Sequence, residues 1–82
     1  MGDGWFMYVV ECVDGSFYAG ITTDVSRRLT EHNSTERGAK YTRSRRPVKL
    51  IRCVDHPDRS SASIAEAAFK KLTRKQKEAL VS

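Results

Sequence analysis

Side chains that could bind phosphate are concentrated in two parts of the chain. The sequence has 15 Lys and Arg residues against 10 Asp and Glu residues, which gives a formal net charge of +5. Residues 34–47 carry five basic side chains and one acidic side chain, and residues 58–82 carry six and three. Such clustering is the electrostatic signature of a surface that binds nucleic acid. A solvated surface that keeps a small protein soluble explains it equally well.

The acidic side chains limit the metal chemistry that the chain could perform on a phosphodiester. Hydrolysis needs an activated water and cations that neutralise the charge developing on the phosphate. Two-metal sites use a cluster of carboxylates, whereas the acidic residues here are spread along the whole chain. A one-metal site is therefore the metal route that remains. It suits Mg²⁺, which can be held by one carboxylate, waters and substrate phosphate oxygens.

The N-terminal third predicts a β-hairpin. Residues 5–13 are nearly all apolar and rich in β-formers, which predicts a strand covered on both faces. Asp14-Gly15 is a turn signal, and residues 16–20 predict the second strand of the pair. A third strand is predicted at residues 48–54, which residues 56–58 end.

The hairpin turn decides whether Tyr8 and Tyr18 can share one site. A two-residue type I′ turn at Asp14-Gly15 would place the two tyrosines on opposite faces of the sheet. A type I turn followed by Gly15 as a left-handed bulge would instead pair Tyr18 with Val10. Tyr8 would then pair with Gly20, and the two tyrosines would be diagonal neighbours on one face. A shared site therefore requires the bulged turn and a positive φ at Gly15.

Helices are predicted after the hairpin and after the third strand. Thr22, Thr23 and Asp24 are candidate N-caps of the first helix, which Asn33 and Ser34 end. The face of this helix is predicted to consist of Val25, Arg28, Leu29 and His32. Residues 34–47 have no clean period and predict a basic loop.

The second predicted helix runs through Leu72, with Ser60, Ser61 and Ser63 as candidate caps. Its buried stripe is predicted to be Ile64, Ala65, Ala68, Phe69 and Leu72. The spacing from Thr73 to Gln76 fits a capping box that starts a short terminal helix. The fold class is then α/β, a single domain over residues 1–82 with a small three-stranded antiparallel sheet flanked by helices.

The composition limits the cellular compartments and the binding partners that fit this sequence. No stretch approaches the roughly 20 apolar residues of a membrane span, and residues 1–4 do not resemble a secretory signal. Cys12 and Cys53 lie in strand-like runs without CxxC spacing, so we expect two reduced, buried thiols. We therefore expect a cytoplasmic monomer with no membrane partner.

A set of residues in order resembles the GIY-YIG nuclease domain, found in homing endonucleases and the bacterial excision-repair nuclease. Phe6-Met7-Tyr8 corresponds to the first tripeptide and Tyr18-Ala19-Gly20 to the second. The resemblance continues through Gly20-Ile21-Thr22, Asp24, Arg27-Arg28-Leu29, His32-Asn33 and the segments 38–50 and 66–80. It covers nearly the whole chain and is strongest for the short stand-alone bacterial members. The nuclease domain of a eukaryotic structure-specific endonuclease subunit is also similar.

The resemblance implies an endonuclease that hydrolyses DNA with Mg²⁺, or another divalent cation such as Mn²⁺, in repair or recombination. Glu66 would be the metal ligand; its alternative is a capping-box residue that pairs with Lys70. Arg28 resembles the catalytic arginine that neutralises the scissile phosphate, and a planar, permanently charged guanidinium suits that role. Arg27 is expected to point elsewhere on the helix.

Three further side chains are candidates for the same site. Tyr18 is our first choice for the general base or water positioner, and Tyr8 is the second. The alternative for both is a strand aromatic of the core, as their β-propensity suggests. His32 could orient a phosphate or a tyrosine hydroxyl, or could be a half-buried structural histidine.

The basic loop is the candidate DNA interface. Its residues would contact phosphates and give affinity without sequence choice; they are Lys40, Arg43, Arg45 and Arg46. Tyr41 could stack on a base or sugar, or pack against the helices. Two other functions compete with the nuclease. One is a non-catalytic nucleic-acid-binding module on the same fold, and the other is an adaptor whose basic tail binds an acidic protein.

Overall fold

The computed structural model describes residues 4–34 and 40–81. The elements in chain order are β1 Trp5–Glu11, β2 Phe17–Thr22, α1 Val25–Ser34, α2 Lys40–Arg43, β3 Lys49–His56, α3 Arg59–Lys70 and α4 Arg74–Val81. The strands form one antiparallel sheet in the order β2-β1-β3, flanked by the helices. The predicted fold class is confirmed. Within the described ranges, no helix is long and apolar enough to cross a membrane.

Strand β1 is the centre of the sheet and is covered on both faces, as its apolar run predicted. Because side chains alternate along a strand, consecutive residues of β1 belong to different clusters. Met7 and Val9 pack with Ala19 of β2 and Phe69 of α3. Tyr8 and Val10 are buried with Cys12 and Val48 on the opposite face, against Leu29 of α1. Tyr8 therefore faces α1, as does Tyr18 of β2, which packs against the same cluster.

The β1–β2 hairpin has the bulged turn that a shared tyrosine site requires. Tyr8 pairs with Gly20 and Val10 pairs with Tyr18, and Gly15 has a φ of +85°. The Gly15 N–H donates to the Cys12 carbonyl at 2.9 Å. The predicted register is confirmed, and Tyr8 and Tyr18 lie on one face of the sheet.

Helix α1 begins as predicted, and Asp24 is the cap. The Asp24 carboxylate accepts the Arg27 N–H at 3.0 Å, and Thr22 accepts the Asp24 N–H at 3.1 Å. The sequence between α1 and β3 differs from the prediction because the expected loop 34–47 contains helix α2. Residues 35–39 of that expected loop lie outside the described residues.

Helix α3 begins earlier than predicted, and its N-cap is Asp58 rather than one of the serines. Asp58 has extended backbone and accepts the Ser61 N–H at 2.8 Å. An aspartate cap is at least as strong as a serine cap, and it places Ser63 inside the helix, so the Ser63–Glu66 capping box does not form. The helix also ends at Lys70, before Leu72.

The buried stripe of α3 was predicted only in part. Ala62 and Phe69 are buried, with Ala65 and Leu72 packed alongside. Ile64 is 68% exposed, and Ala68 is also exposed. The buried stripe is narrower than predicted, because the helical step of about 100° per residue turns Ile64 and Ala68 to the solvent side of Ala65 and Phe69. The Thr73–Gln76 capping box is confirmed, since each backbone N–H donates to the other residue's side chain.

Strand β3 extends to His56, beyond the predicted end at residue 54, because β1 continues to pair with it from Trp5. Both cysteines are free, and Cys12 is buried as expected. Cys53 is exposed, so its predicted burial is wrong. It lies on an edge strand, which has a neighbouring strand on one side only.

Candidate active site

Helix α1 presents Arg28 and His32 to the tyrosine face of the sheet. The two residues are one turn apart, so their side chains lie on the same side of the helix. Leu29, between them in sequence, packs against the cluster that contains Tyr8 and Val10. The helical period and the bulged hairpin therefore bring Arg28, His32, Tyr8 and Tyr18 to one place.

His32 is fully buried, with 0% of its surface exposed, and both ring nitrogens have partners. Its Nε2 lies 2.8 Å from the Tyr8 hydroxyl, and its Nδ1 lies 2.9 Å from the Thr42 hydroxyl. Burial, followed by the nearby positive charges of Arg28 and Arg46, lowers the pKa of His32 to about 4. The imidazole is therefore neutral at physiological pH, with one nitrogen donating and the other accepting.

Tyr8 is held by the residue that faces it across the hairpin. Its ring crosses Gly20, where a Cβ atom would lie 2.5 Å from the Tyr8 hydroxyl oxygen. Any other residue at position 20 would have to displace the ring. Tyr8 is only 2% exposed, so its hydroxyl is enclosed among the groups that bond to it.

The surroundings of Tyr8 have opposing effects on the pKa of its hydroxyl. Burial raises the pKa of Tyr8 to about 12, against a lowering by the hydrogen bond and positive charge of Arg28. The negative charges of Tyr18 and, to a smaller extent, Glu66 also raise this pKa. Tyr8 is therefore a protonated phenol between Arg28 and His32 at neutral pH.

Glu31 fixes the guanidinium of Arg28 from the other side. Arg28 Nη1 donates to Glu31 Oε1 at 3.0 Å, and Arg27 approaches Glu31 Oε2 at 3.8 Å. Arg27 is well exposed, so it reaches Glu31 from the solvent side, as a surface role for Arg27 predicts. Sequence reasoning did not single out Glu31. The signal was its spacing of i+3 from Arg28 and i+4 from Arg27, which makes ion pairs on a helix.

Tyr18 and Tyr41 form an aromatic wall beside His32. The Tyr18 ring lies edge-on to His32, with centroids 5.4 Å apart, and stacks on Tyr41 at 5.8 Å. The guanidinium of Arg45 lies 4.0 Å from the centre of the Tyr41 ring. Tyr18 is half-buried and Tyr41 is exposed. The aromatic wall therefore borders solvent, whereas the Tyr8 hydroxyl does not. Tyr41 therefore stacks on a strand residue rather than on the helices, and its stacking on a base or sugar stays a prediction.

Glu66 projects from α3 with 23% of its side chain exposed and pairs with Lys70 at 3.5 Å. The pairing agrees with the structural interpretation of this residue. Among residues 4–34 and 40–81, no group of three or more His, Cys, Asp or Glu side chains could hold a metal. One accessible carboxylate fits Mg²⁺, which takes its other ligands from waters and substrate phosphate. The exposed ammonium of Lys70 can move aside at little energetic cost.

Comparison with known families identifies this arrangement. The GIY-YIG catalytic domain matches residues 4–79. The chain belongs to the GIY-YIG family. This is a nuclease-type family, so a nucleic-acid substrate follows from membership.

Relatives of this GIY-YIG chain are short bacterial proteins of the UPF0213 group. A UPF0213 protein of Desulfotalea psychrophila is 54% identical over 94% of this chain and 70% of its own length. One from Enterococcus faecalis is 63% identical over 89% of this chain and 84% of its own length. A solution NMR structure of an E. faecalis protein has a TM-score of 0.62 at 54% identity, covering 94% of this chain and 82% of that chain. The UPF0213 protein of Bacillus halodurans has a TM-score of 0.61 at 44% identity, with 95% and 82% covered.

The departures from the GIY-YIG tripeptides fall partly on the face away from the tyrosines. Met7 and Ala19 stand at the middle positions of the two tripeptides, and both are buried beneath Phe69 of α3. Apolar residues of different size can fill such core positions when their neighbours adjust. The retained residues, Tyr8, Tyr18 and Gly20, are those that form the tyrosine face.

The basic residues of the GIY-YIG domain expected at the DNA interface divide into two groups. Lys40 and Arg43 of α2 are exposed. Arg45 instead donates to Asp14 Oδ2 at 3.1 Å and to the Tyr41 carbonyl at 2.8 Å. Arg46 donates to the carbonyls of His32 and Glu31 at the end of α1. We call residues 40–46 the clamp segment, because it ties the hairpin turn, the aromatic wall and α1 together.

The structure thus places most of the predicted site residues together. Tyr8 and His32 are joined by a hydrogen bond, Tyr18 contacts His32, and the charges of Arg28 and Glu66 act on the pKa of Tyr8. Sequence reasoning missed the contribution of Thr42, which is fully buried against His32. A threonine in a basic, aperiodic segment gives no signal of burial.

Proposed function

We propose that this protein is a metal-dependent endonuclease that hydrolyses phosphodiester bonds in DNA. The observation that carries the proposal is the grouping of Arg28 with Tyr8 and His32: the Tyr8 hydroxyl hydrogen-bonds to His32 Nε2, Glu31 holds the Arg28 guanidinium, and the charge of Arg28 lowers the pKa of Tyr8. The Arg28 guanidinium is partly exposed, and its ion pair with Glu31 fixes its direction. A preorganised cation of this kind stabilises the charge that develops on a phosphate during hydrolysis.

Arg28 is the residue that would contact the scissile phosphate. Its guanidinium donates to Glu31 at 3.0 Å, and this partner sets its direction before substrate arrives. The cost of orienting it is therefore met during folding rather than during the reaction.

Tyr18 is the tyrosine that a reacting water can reach, because it borders solvent whereas Tyr8 is enclosed. We assign Tyr18 to orient the attacking water, and Tyr8 to position Arg28. His32, being neutral, accepts or donates a hydrogen bond without adding charge beside the phosphate.

Glu66 would hold Mg²⁺, or another divalent cation such as Mn²⁺, together with waters and substrate phosphate oxygens. When bound, the cation would supply further charge neutralisation at the phosphate. Lys40, Arg43 and the remaining exposed cations would attract the DNA backbone without reading its sequence. We also propose that the protein works as a monomer in the cytoplasm, where free Cys12 and Cys53 suit a reducing environment.

The proposal is tested by cleavage of linear, flapped and branched DNAs with Mg²⁺, and by the effect of a chelator. Glu66→Gln keeps the size of the side chain and should lower the cleavage rate at least about 100-fold, the usual effect of removing one group that stabilises the transition state. Glu78→Gln is the matched control, because Glu78 also pairs with a cation at i+4 on a helix. It should cleave like the wild type.

Other results would contradict the proposal. If the wild type binds DNA in a salt-dependent manner but cleaves none of the substrates with Mg²⁺ or Mn²⁺, it is a binding module. If cleavage persists in chelator, or if Glu66→Gln and Glu78→Gln behave alike, Glu66 is not the metal ligand.

A further inference from the structure

Tyr18, the tyrosine assigned to orient the attacking water, is directed by aromatic contacts rather than by hydrogen bonds. Within residues 4–34 and 40–81, its hydroxyl has no hydrogen-bond partner, whereas its ring has two aromatic neighbours. The His32 ring lies edge-on to it with centroids 5.4 Å apart, and the Tyr41 ring stacks on it at 5.8 Å with the ring planes 23° apart. Aromatic pairs favour both arrangements. The direction of the Tyr18 hydroxyl therefore depends on these two rings.

The two neighbours of Tyr18 differ in how firmly they are fixed. His32 is fully buried, and hydrogen bonds join its ring nitrogens to the hydroxyls of Tyr8 and Thr42. Tyr41 is 39% exposed and lies in α2, which has only four residues. Several rotamers are open to an exposed side chain on so short a helix unless other groups restrict it.

Arg45 supplies the restriction on Tyr41. The guanidinium carbon of Arg45 lies 4.0 Å from the centre of the Tyr41 ring, which is a cation–π contact. Nη1 of the same guanidinium donates to the Tyr41 carbonyl at 2.8 Å. One planar cation therefore holds both the ring and the backbone of Tyr41.

Arg45 is attached in turn to the hairpin that carries Tyr18. Its Nε donates to Asp14 Oδ2 at 3.1 Å, and its carbonyl accepts the Val13 N–H at 3.0 Å. Asp14 is itself fixed, because its Oδ1 accepts from both the backbone N–H and the hydroxyl of Ser16. The hairpin turn, the clamp segment and the aromatic wall therefore form a closed set of contacts, in which a functional side chain is held by neighbours whose own positions are fixed.

We propose that Tyr41, held by Arg45, is a positioning residue that sets the orientation of the Tyr18 ring. The catalytic consequence rests on the proposed nuclease function, in which Tyr18 orients the attacking water. The orientation of the ring in the protein without DNA does not rest on it, so the two can fail separately.

The orientation of Tyr18 is measured by nuclear Overhauser effects between its ring protons and those of His32, in the full chain without DNA. We expect these effects in the wild type and in Tyr41→Phe, which keeps the stacked ring. Tyr41→Leu removes the ring and should weaken them. The matched control is Phe17→Leu, because Phe17 precedes Tyr18 in β2, packs on the opposite face of the sheet and contacts the guanidinium of Arg74 at 4.2 Å. This control should leave the effects unchanged.

The part played by Arg45 is measured in the same way. Arg45→Gln removes the cation from the Tyr41 ring and should weaken the Tyr18–His32 effects as Tyr41→Leu does. Unchanged effects in Arg45→Gln would show that Tyr41 needs no restriction from Arg45. Unchanged effects in Tyr41→Leu would overturn the whole inference, whatever the protein does to DNA.

DNA cleavage by the same variants separates positioning from binding. Tyr41→Leu should lower kcat by about tenfold or more, because a small misplacement of a reacting group is costly, with KM little changed. Tyr41→Phe should cleave like the wild type. A ring that only stacks on a base predicts the opposite result in Tyr41→Leu, a raised KM with an unchanged kcat, and that result would overturn the inference. If the wild type cleaves no DNA, the nuclease proposal fails, and the ring measurement still decides whether Tyr41 orients Tyr18.

Discussion

At the residue scale, the most demanding requirement is at Gly20. The Tyr8 ring occupies the space that a side chain at position 20 would need, and the Tyr8 hydroxyl is the junction between Arg28 and His32. Glycine is therefore required here for close approach rather than for an unusual φ. Gly20 has no side-chain functional group, but it determines the geometry of the site because the Tyr8 ring lies over it.

Gly20→Ala should destabilise the fold by about 1–3 kcal/mol, because overpacking forces the Tyr8 ring to move. The closest atom to the new Cβ is the Tyr8 hydroxyl oxygen. The ring carbon that bears this oxygen would also lie only 2.7 Å from the Cβ, so the same substitution should cost less in a Tyr8→Leu background, which lacks both atoms. Chemical denaturation of the four proteins in this cycle measures the difference. Equal costs in both backgrounds would mean that Tyr8 does not lie over Gly20.

His32 should make the stability of the protein depend on pH. Its pKa is about 4 in the folded protein, lowered from 6.5 by burial first and then by Arg28. The unfolded chain therefore binds more protons between these two values, so this stability is present above pH 6.5 and is lost as pH falls towards 4. The full loss corresponds to about 3 kcal/mol.

The measurement is the free energy of unfolding across this pH window in the wild type and in His32→Gln. The variant should be less stable at neutral pH and should show a much flatter profile. Asp14 and Asp58, whose pKa values are lowered by hydrogen bonds from Ser16 and Ser61, titrate below the window. A wild-type profile that is flat between pH 6.5 and 4 would show that His32 is not buried as a neutral ring.

At the element scale, the clamp segment has a structural role that its positive charge does not indicate. Arg45 and Arg46 bond to the hairpin turn and to the end of α1. Asn33 adds a second connection, since it donates to the Val48 carbonyl at 3.1 Å and accepts the Val48 N–H at 2.7 Å. A count of positive charges assigns all of these cations to DNA. The hydrogen bonds show that two of them also hold the site together.

The exposed cations of α2 give a binding prediction. Lys40→Ala with Arg43→Ala should weaken DNA binding to a similar degree for all sequences. It should also flatten the dependence of log K on log salt by up to about one unit for each phosphate that the variant no longer neutralises. The control is Lys71→Ala with Lys75→Ala, which removes two exposed cations from the C-terminal part of the chain. If the two pairs change the salt dependence equally, α2 is not the specific DNA interface.

At the scale of the whole molecule, most of the fold could be predicted from local patterns. The apolar run of β1, the Asp24 cap and the capping box at Thr73 all depend on near neighbours in sequence. The bulged turn was predicted from the requirement that Tyr8 and Tyr18 share one site, whereas the local Asp14-Gly15 signal alone favours the tighter turn. The α3 start was missed because several capping residues precede that helix, and sequence alone does not rank Asp58 above Ser60 or Ser61.

The parts of the candidate site that were missed depend on distant contacts. Thr42 meets His32 across ten positions of sequence, and the stack of Tyr41 on Tyr18 spans 23 positions. Tertiary packing alone determines such pairs. The resemblance to the GIY-YIG family identified Arg28, Tyr8 and Glu66 as candidates, but not Glu31, which fixes the Arg28 guanidinium.

The most direct test of the central claim, that Arg28 is held in place to act on a phosphodiester, is the single-turnover rate of DNA cleavage with Mg²⁺. Arg28→Ala and Arg27→Ala remove the same charge from adjacent positions, and both lose an ion pair with Glu31. We predict that Arg28→Ala lowers the rate by about 100-fold or more while DNA binding changes little. Arg27→Ala should keep a rate close to that of the wild type. Equal effects of the two substitutions, or the absence of cleavage by the wild type, would contradict the claim.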